Sequence, residues 1–195
     1  MYEISIFGTS INLIEAFASA IGIIAIFFQV KQKILFWPLW ILTALIYIYI
    51  FFISKLYALM VLQFYYVGIS IYGWKQWIKG NKDDEGKIKN LSLKQMLYTV
   101  FSVTILTVIF YFLLKRYTDS NVPAWDGFVT AMSFVASWLL SHKFLQHWIM
   151  WIIADIVAAG VYFYKDLYPT TIFYLVLTVL ATIGFIQWKK QIKTS

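Results

Sequence analysis

Trp148, Trp151 and Asp155 follow one another at spacings of three and four residues, so a helix would stack two indoles and a carboxylate on one face. The acid lies inside an apolar run, WIIADIVAAG, where an ionised carboxylate costs roughly 3 kcal/mol unless it meets water, a partner or a ligand. The chemistry this set offers is recognition of a flat cation: the acid supplies the countercharge and the indole faces supply the stacking surface. The alternative is a packing carboxylate, hydrogen-bonded to a neighbouring helix. A second stripe, Gln63, Tyr66, Ser70, Trp74 and Trp77, also runs at helical steps. Gln63 carries both an amide donor and a carbonyl acceptor, which suits a sugar hydroxyl or a carboxamide. Hydrogen bonding between helices is the competing role.

Other residue types narrow the chemistry. The chain has no Cys, which excludes disulfides and thiolate sites, and its two histidines, His142 and His147, fall in one short stretch read as a loop. Walker A, GxSxG and HExxH spacings are all missing from the sequence, so nothing points to an enzyme, a metal or a cofactor. Glu15 and Asp126 each stand near the start of a long apolar run, as helix caps or lysine partners.

The elements that must position these residues are membrane helices. Of 195 residues, 62% are hydrophobic and 13% charged, with mean hydropathy +0.75; soluble domains are about half apolar and a quarter charged. Runs of about 20 apolar residues, enough to cross the hydrocarbon core, predict an all-α integral membrane protein with seven transmembrane helices at about 11–29, 35–53, 57–78, 95–114, 125–141, 148–164 and 168–188. Pro38, Pro123 and Pro169 fall near span starts, where a missing N–H costs little. The polar stretch from Lys79 to Asn90 reads as a flexible loop. Met1 to Ser10 lacks a basic region and a small-residue cleavage pattern, so no removable signal peptide is expected.

The net charge of +7 has a topological reading. Seven spans place twelve of the sixteen basic residues on one side, in the loops after spans one, three and five and in the C-terminal tail. The positive-inside rule then puts the N-terminus outside and the C-terminus in the cytoplasm, and leaves no basic surface for nucleic acid.

The chain also matches itself at a constant shift of 111 residues. Trp37 falls on Trp148, Trp40 on Trp151, Tyr57 on Tyr168, Gly73 on Gly184, Gln76 on Gln187 and Trp77 on Trp188, without a gap; Glu15 falls on Asp126. Repeat one (about 11–79) and repeat two (about 122–190) are thus joined by a linker helix (about 95–114) within a single transmembrane domain, a 3+1+3 pattern. One intervening span restores the chain direction, making the repeats parallel, an arrangement known from transporters with a midplane site between the halves. Trp40 joins the candidate site as the mate of Trp151, and Tyr174 as the mate of Gln63. The same shift sets Ala44 against Asp155, so symmetry does not require the acid. Trp37, Trp77 and Trp188 read as interfacial-belt residues.

The segments IEAFASAIGI, WPLW, LYALMVLQFYYVGISIYGWKQW, WDGFVTAMSFVA and HWIMWIIADIVAAGVYFYKDLYPTTIFYLVLTVLATIGFIQW together resemble the Pnu (PnuC) family of bacterial vitamin transporters, over nearly the whole chain. The resemblance implies the 3+1+3 fold, uptake across the inner membrane by facilitated diffusion, and trapping by a cytoplasmic vitamin kinase. It implies nicotinamide riboside as the substrate, with thiamine and riboflavin carried by related branches, and a homo-oligomer, a trimer. Gln63 matches the family's third-span glutamine, and Trp148 and Trp151 its sixth-span WxxW. Ser70 and Asp155 depart from the pattern, which has Asn at both places, and this leaves nicotinamide riboside and thiamine, both cations with aromatic rings, as the competing substrates.

Overall fold

The structure is a computed structural model, described here for residues 3–6, 9–53, 57–82, 87–164 and 168–194. Two short antiparallel strands, β1 (Glu3–Ile6) and β2 (Thr9–Asn12), precede seven helices: α1 (Leu13–Val30), α2 (Phe36–Ile53), α3 (Tyr57–Lys82), α4 (Leu93–Tyr117), α5 (Pro123–Ser141), α6 (His147–Tyr164) and α7 (Tyr168–Thr194). Each helix covers one expected span. The hairpin was not expected: its register pairs Ile4 with Ile11, so residues 11 and 12 belong to a strand and α1 begins two residues after the expected start.

Four apolar segments, Phe36–Ile53, Leu93–Tyr117, His147–Tyr164 and Thr170–Ile192, are long and apolar enough to cross a bilayer by composition alone. The chain is therefore a multi-pass membrane protein. Local signals account for the helix ends. Pro123 opens α5 at its first position, and Ser92 caps α4 in a reciprocal box with Gln95. Leu93–Tyr117 buries Val103 alone among its residues and presents Leu97, Phe101 and Phe112 outward, as lipid permits.

The chain forms two compact units, Met1–Gly86 and Lys87–Ser195. In the first, α1 packs on α2 and α2 on α3; in the second, α4 packs on α5, α5 on α6 and α6 on α7. At the α4–α5 crossing Gly127 brings the two backbones together, since a Cβ there would lie 3.0 Å from the Tyr111 nitrogen. The apolar core of the second unit gathers Val103, Ala131, Met132, Ala136, Leu139, Met150 and Ala154.

Part of the stretch read as a loop, Lys79 to Asn90, is ordered. α3 continues to Lys82, and Lys89 makes a short parallel bridge with the α5–α6 turn: its N–H donates to the Lys143 carbonyl (2.9 Å) and its carbonyl accepts from the Leu145 N–H (2.8 Å). The Gln146 side chain completes the strap by accepting from Leu91 N–H at 3.1 Å and donating to Asn90 Oδ1 at 3.3 Å. Composition marked this segment as polar, but its backbone groups find partners on a loop more than fifty residues away.

Local geometry repeats at the 111-residue shift. The α1–α2 and α5–α6 turns pass through left-handed residues at Gln32 (φ 53°) and Lys143 (φ 57°), which are mates; a side chain in that region costs about 1 kcal/mol, so its double occurrence reflects a shared turn. Burial of Lys143 lowers the pKa of its ammonium group below the usual lysine value. More telling is the packing of the hairpins that follow. Trp37 lies against Gly73, where a Cβ would meet the indole at 2.2–2.7 Å, and Trp148 lies against Gly184, where it would meet the ring at 2.5–2.7 Å. Each indole then takes the edge of a second tryptophan: Trp37 with Trp77 at 5.3 Å and 87°, Trp148 with Trp188 at 5.7 Å and 88°.

These contacts correct the belt reading. Trp37 is 2% exposed because glycine on the facing helix opens a slot for its ring, and Trp77 (2%) and Trp188 (fully buried) are covered by edge-on packing against the slotted indoles. Gly73→Ala or Gly184→Ala is expected to displace the indole and destabilise the protein by about 1–3 kcal/mol, the usual cost of overpacking. Thermal unfolding in detergent checks this, and an unchanged midpoint in both variants would remove the slot's structural role.

Candidate functional site

In the second unit, α6 carries the polar set that the sequence singled out. Asp155 is 5% exposed, and its carboxylate has no hydrogen bond or ion pair among the described residues. On its own helix it neighbours Ala154, Ala158 and Ala159, all buried. A buried carboxylate without a donor among the described residues is an expensive feature for an apolar helix to carry.

The two indoles below it part company. Trp148 turns to α7 and the Gly184 slot, and its indole N–H is buried without an acceptor. Trp151, half-buried, lies on the core formed by α4, α5 and α6. Of the pair, Trp151 keeps the more accessible face, while Trp148 is held by its helix partner. Tyr174 on α7 is half-buried and stacks on Tyr162 of α6, with ring centroids 5.2 Å apart and planes at 20°.

The first unit holds the other four candidates. Ser70 is 1% exposed and its hydroxyl has no partner, an uncompensated polar group of the kind that marks a strained or ligand-facing position. Gln63, two turns earlier on α3, is half-buried with no hydrogen bond to its amide among the described residues. Tyr66 meets Trp40 of α2 edge-on at 6.5 Å, and Trp40 in turn packs against Phe36 at 5.8 Å. Trp40, Tyr66, Gln63 and Ser70 thus stand together along α2 and α3, while Trp148, Trp151, Asp155 and Tyr174 stand along α6 and α7.

Three placements were missed or differ. His147, read as a loop residue, opens α6 and is completely buried; its Nδ1 lies 2.7 Å from the Phe144 carbonyl and its ring meets Trp188 edge-on at 4.8 Å. It occupies the place that Phe36 fills in the first hairpin, so the imidazole serves there as an aromatic packing group. Asp126 does not cap α5, whose N-cap residue is Val122 and whose start has no side-chain cap; its carboxylate accepts instead from the Ser120 hydroxyl ahead of the helix, whereas the Glu15 side chain lies outside the described residues. Tyr162 was passed over, although its position seven residues after Asp155 was a readable signal.

The stretch 12–190 matches the sequence model of a family described as nicotinamide mononucleotide transporter. Among curated proteins, the nicotinamide riboside transporter PnuC of Escherichia coli is 24% identical, covering 93% of this chain and 87% of its own length. The nicotinamide riboside transporter PnuC of Neisseria mucosa is 25% identical, with 90% and 72% covered. The solved structure titled "Crystal structure of the Vitamin B3 transporter PnuC" superposes with a TM-score of 0.75 at 25% identity, covering 93% of this chain and 83% of that one. A family match of this extent, joined to a seven-helix fold that carries the glutamine stripe and the WxxW element, establishes that the chain belongs to the nicotinamide mononucleotide transporter family.

Proposed function

We propose that the protein is an uptake transporter for vitamin B3 in the form of nicotinamide riboside. The observation that carries this reading is the buried, unpaired carboxylate of Asp155 on the WxxW helix. A pyridinium ring has a fixed positive charge, so it relieves the acid's cost in a low-dielectric site and offers its face to Trp151. In the first unit, Gln63 and the Ser70 hydroxyl, which has no partner among the described residues, are donors and acceptors of the kind that a ribose or carboxamide requires. The names borne by the relatives support the same ligand.

Thiamine is the second reading, favoured by one specific observation: Ser70 and Asp155 stand where the family resemblance leads one to expect asparagines. A thiazolium cation would pair with Asp155 as well as a pyridinium does. Calorimetric titration of nicotinamide riboside and thiamine into one preparation decides between them, and failure of both to bind would overturn the transporter reading for this vitamin class.

The rest of the reading concerns direction. Transport is facilitated diffusion across the bacterial inner membrane, with a cytoplasmic kinase drawing it inward by phosphorylating the product; the N-terminus is outside, the C-terminus is cytoplasmic, and the protein assembles as a homotrimer. The bias of basic residues toward one set of loops supports the orientation.

Two predictions test these assignments. Asp155→Asn keeps the shape but removes the charge, so affinity for the cationic substrate should fall about tenfold or more, equal to ~1.4 kcal/mol or more; an unchanged affinity would show that the carboxylate does not read the charge. Because the chain has no Cys, Lys115→Cys and Lys190→Cys can each be probed in spheroplasts with a membrane-impermeant maleimide. Labelling is expected at position 115 alone, and labelling at 190 alone would invert the topology.

A further inference from the structure

The α6 stripe does not end at Asp155. One seven-residue step further, about 10 Å along the helix axis and on the same face, Tyr162 stacks on Tyr174 of α7. The two rings are nearly parallel, and their hydroxyls are hydrogen-bonded to one another. This pairing fixes both side chains while each remains half-buried, and Tyr174 is braced further by the Phe173 ring at 5.8 Å.

The first unit shows what the same positions look like without this arrangement. The mates of Tyr162 and Tyr174 are Phe51 and Gln63. Phe51 packs on Tyr47 of its own helix, at 5.5 Å and 30°. Had the tyrosine pair existed only to join two helices, an apolar contact would have served equally well. Instead the second unit carries two hydroxylated rings in line with its acid.

We propose that the Tyr162–Tyr174 stack is a specificity element, a second surface of the substrate path that selects a cationic aromatic ring and lies one step along α6 from Asp155. The inference rests on the cationic-vitamin reading above. It assigns to Tyr162 the provision of an aromatic face, while Tyr174, stacked on it at 5.2 Å, holds that face in place. A neutral ring of the same size gains less on such a surface, so discrimination between charged and uncharged forms is the property that Tyr162 controls.

The test compares Tyr162→Phe and Tyr162→Leu with the unmodified protein by calorimetric binding of nicotinamide riboside and of its 1,4-dihydro form, which keeps the riboside but has an uncharged ring. Tyr162→Phe retains the aromatic face and should bind the cation within about threefold of the unmodified protein. Tyr162→Leu should weaken the cationic form about tenfold and leave the dihydro form within about twofold, with Tyr162→Phe serving as the folded control. If Tyr162→Leu loses affinity for both forms equally, or for neither, the tyrosine merely packs and the inference is overturned while the transporter reading stands. If the unmodified protein binds neither form, the vitamin reading itself falls and takes the inference with it.

Discussion

The organisation of each helical hairpin depends on an indole lying flat against bare backbone. Helices in lipid gain nothing from the hydrophobic effect when they associate, because the tails around them are as apolar as their side chains; close packing must hold them together. Gly73 and Gly184 remove the one atom that would keep Trp37 and Trp148 away, and each ring fills the gap so fully that almost none of it remains exposed. The cost is an indole N–H without an acceptor in both hairpins. A buried donor left unpaired costs about 1–3 kcal/mol, so the dispersion gained by a large ring in a tight slot must exceed that loss twice over in this chain.

Once the hairpins are fixed in this way, the polar side chains acquire defined positions. Asp155 lies two turns beyond Trp148 on the same helix, so the slot that holds Trp148 also sets the rotation of α6 and thereby the direction of the acid. Ser70 stands three residues before Gly73, so the same contact in the first hairpin sets its place on α3. A mobile carboxylate would find water or a lysine at the membrane edge. One carried on a packed helix beside buried alanines keeps a fixed place instead.

The fold was readable because its signals are long and repetitive. Seven apolar runs of membrane length gave seven helices, and the exact recurrence of Trp, Gly and Trp at a shift of 111 residues marked the contacts that do pin the hairpins. The errors have a common cause, which is that composition reports what a residue tolerates and not what it touches. Trp77 and Trp188 carry a polar edge and were placed at the headgroups, yet they pack edge-on against buried indoles. His147 is polar by type but replaces Phe36 in an aromatic cluster. The stretch Lys87–Leu91 is polar at three of its five positions and still forms a strap, since its partners on the α5–α6 turn are too distant in sequence to be seen from either segment. The candidate site was legible in part: the isolated acid and the glutamine stripe announced themselves by being expensive in lipid, whereas Tyr162, which costs little there, did not.

Comparison of the mates separates contacts that both hairpins share from side chains that one of them carries alone. Positions that repeat faithfully, Trp37 with Trp148, Gly73 with Gly184 and Trp77 with Trp188, are those whose contacts also repeat. At three of the candidate positions the mates differ: Ser70 is matched with Ala181, Asp155 with Ala44 and Gln63 with Tyr174 under the shift. A purely structural polar group would be needed equally in both hairpins, because both have the same helix packing to satisfy. Since Ala44 and Ala181 are buried at their places without any polar replacement, the fold does not require Asp155 or Ser70. The polar side chains at these positions are therefore additions to a packing scheme that both hairpins share, each made in one hairpin and not in the other.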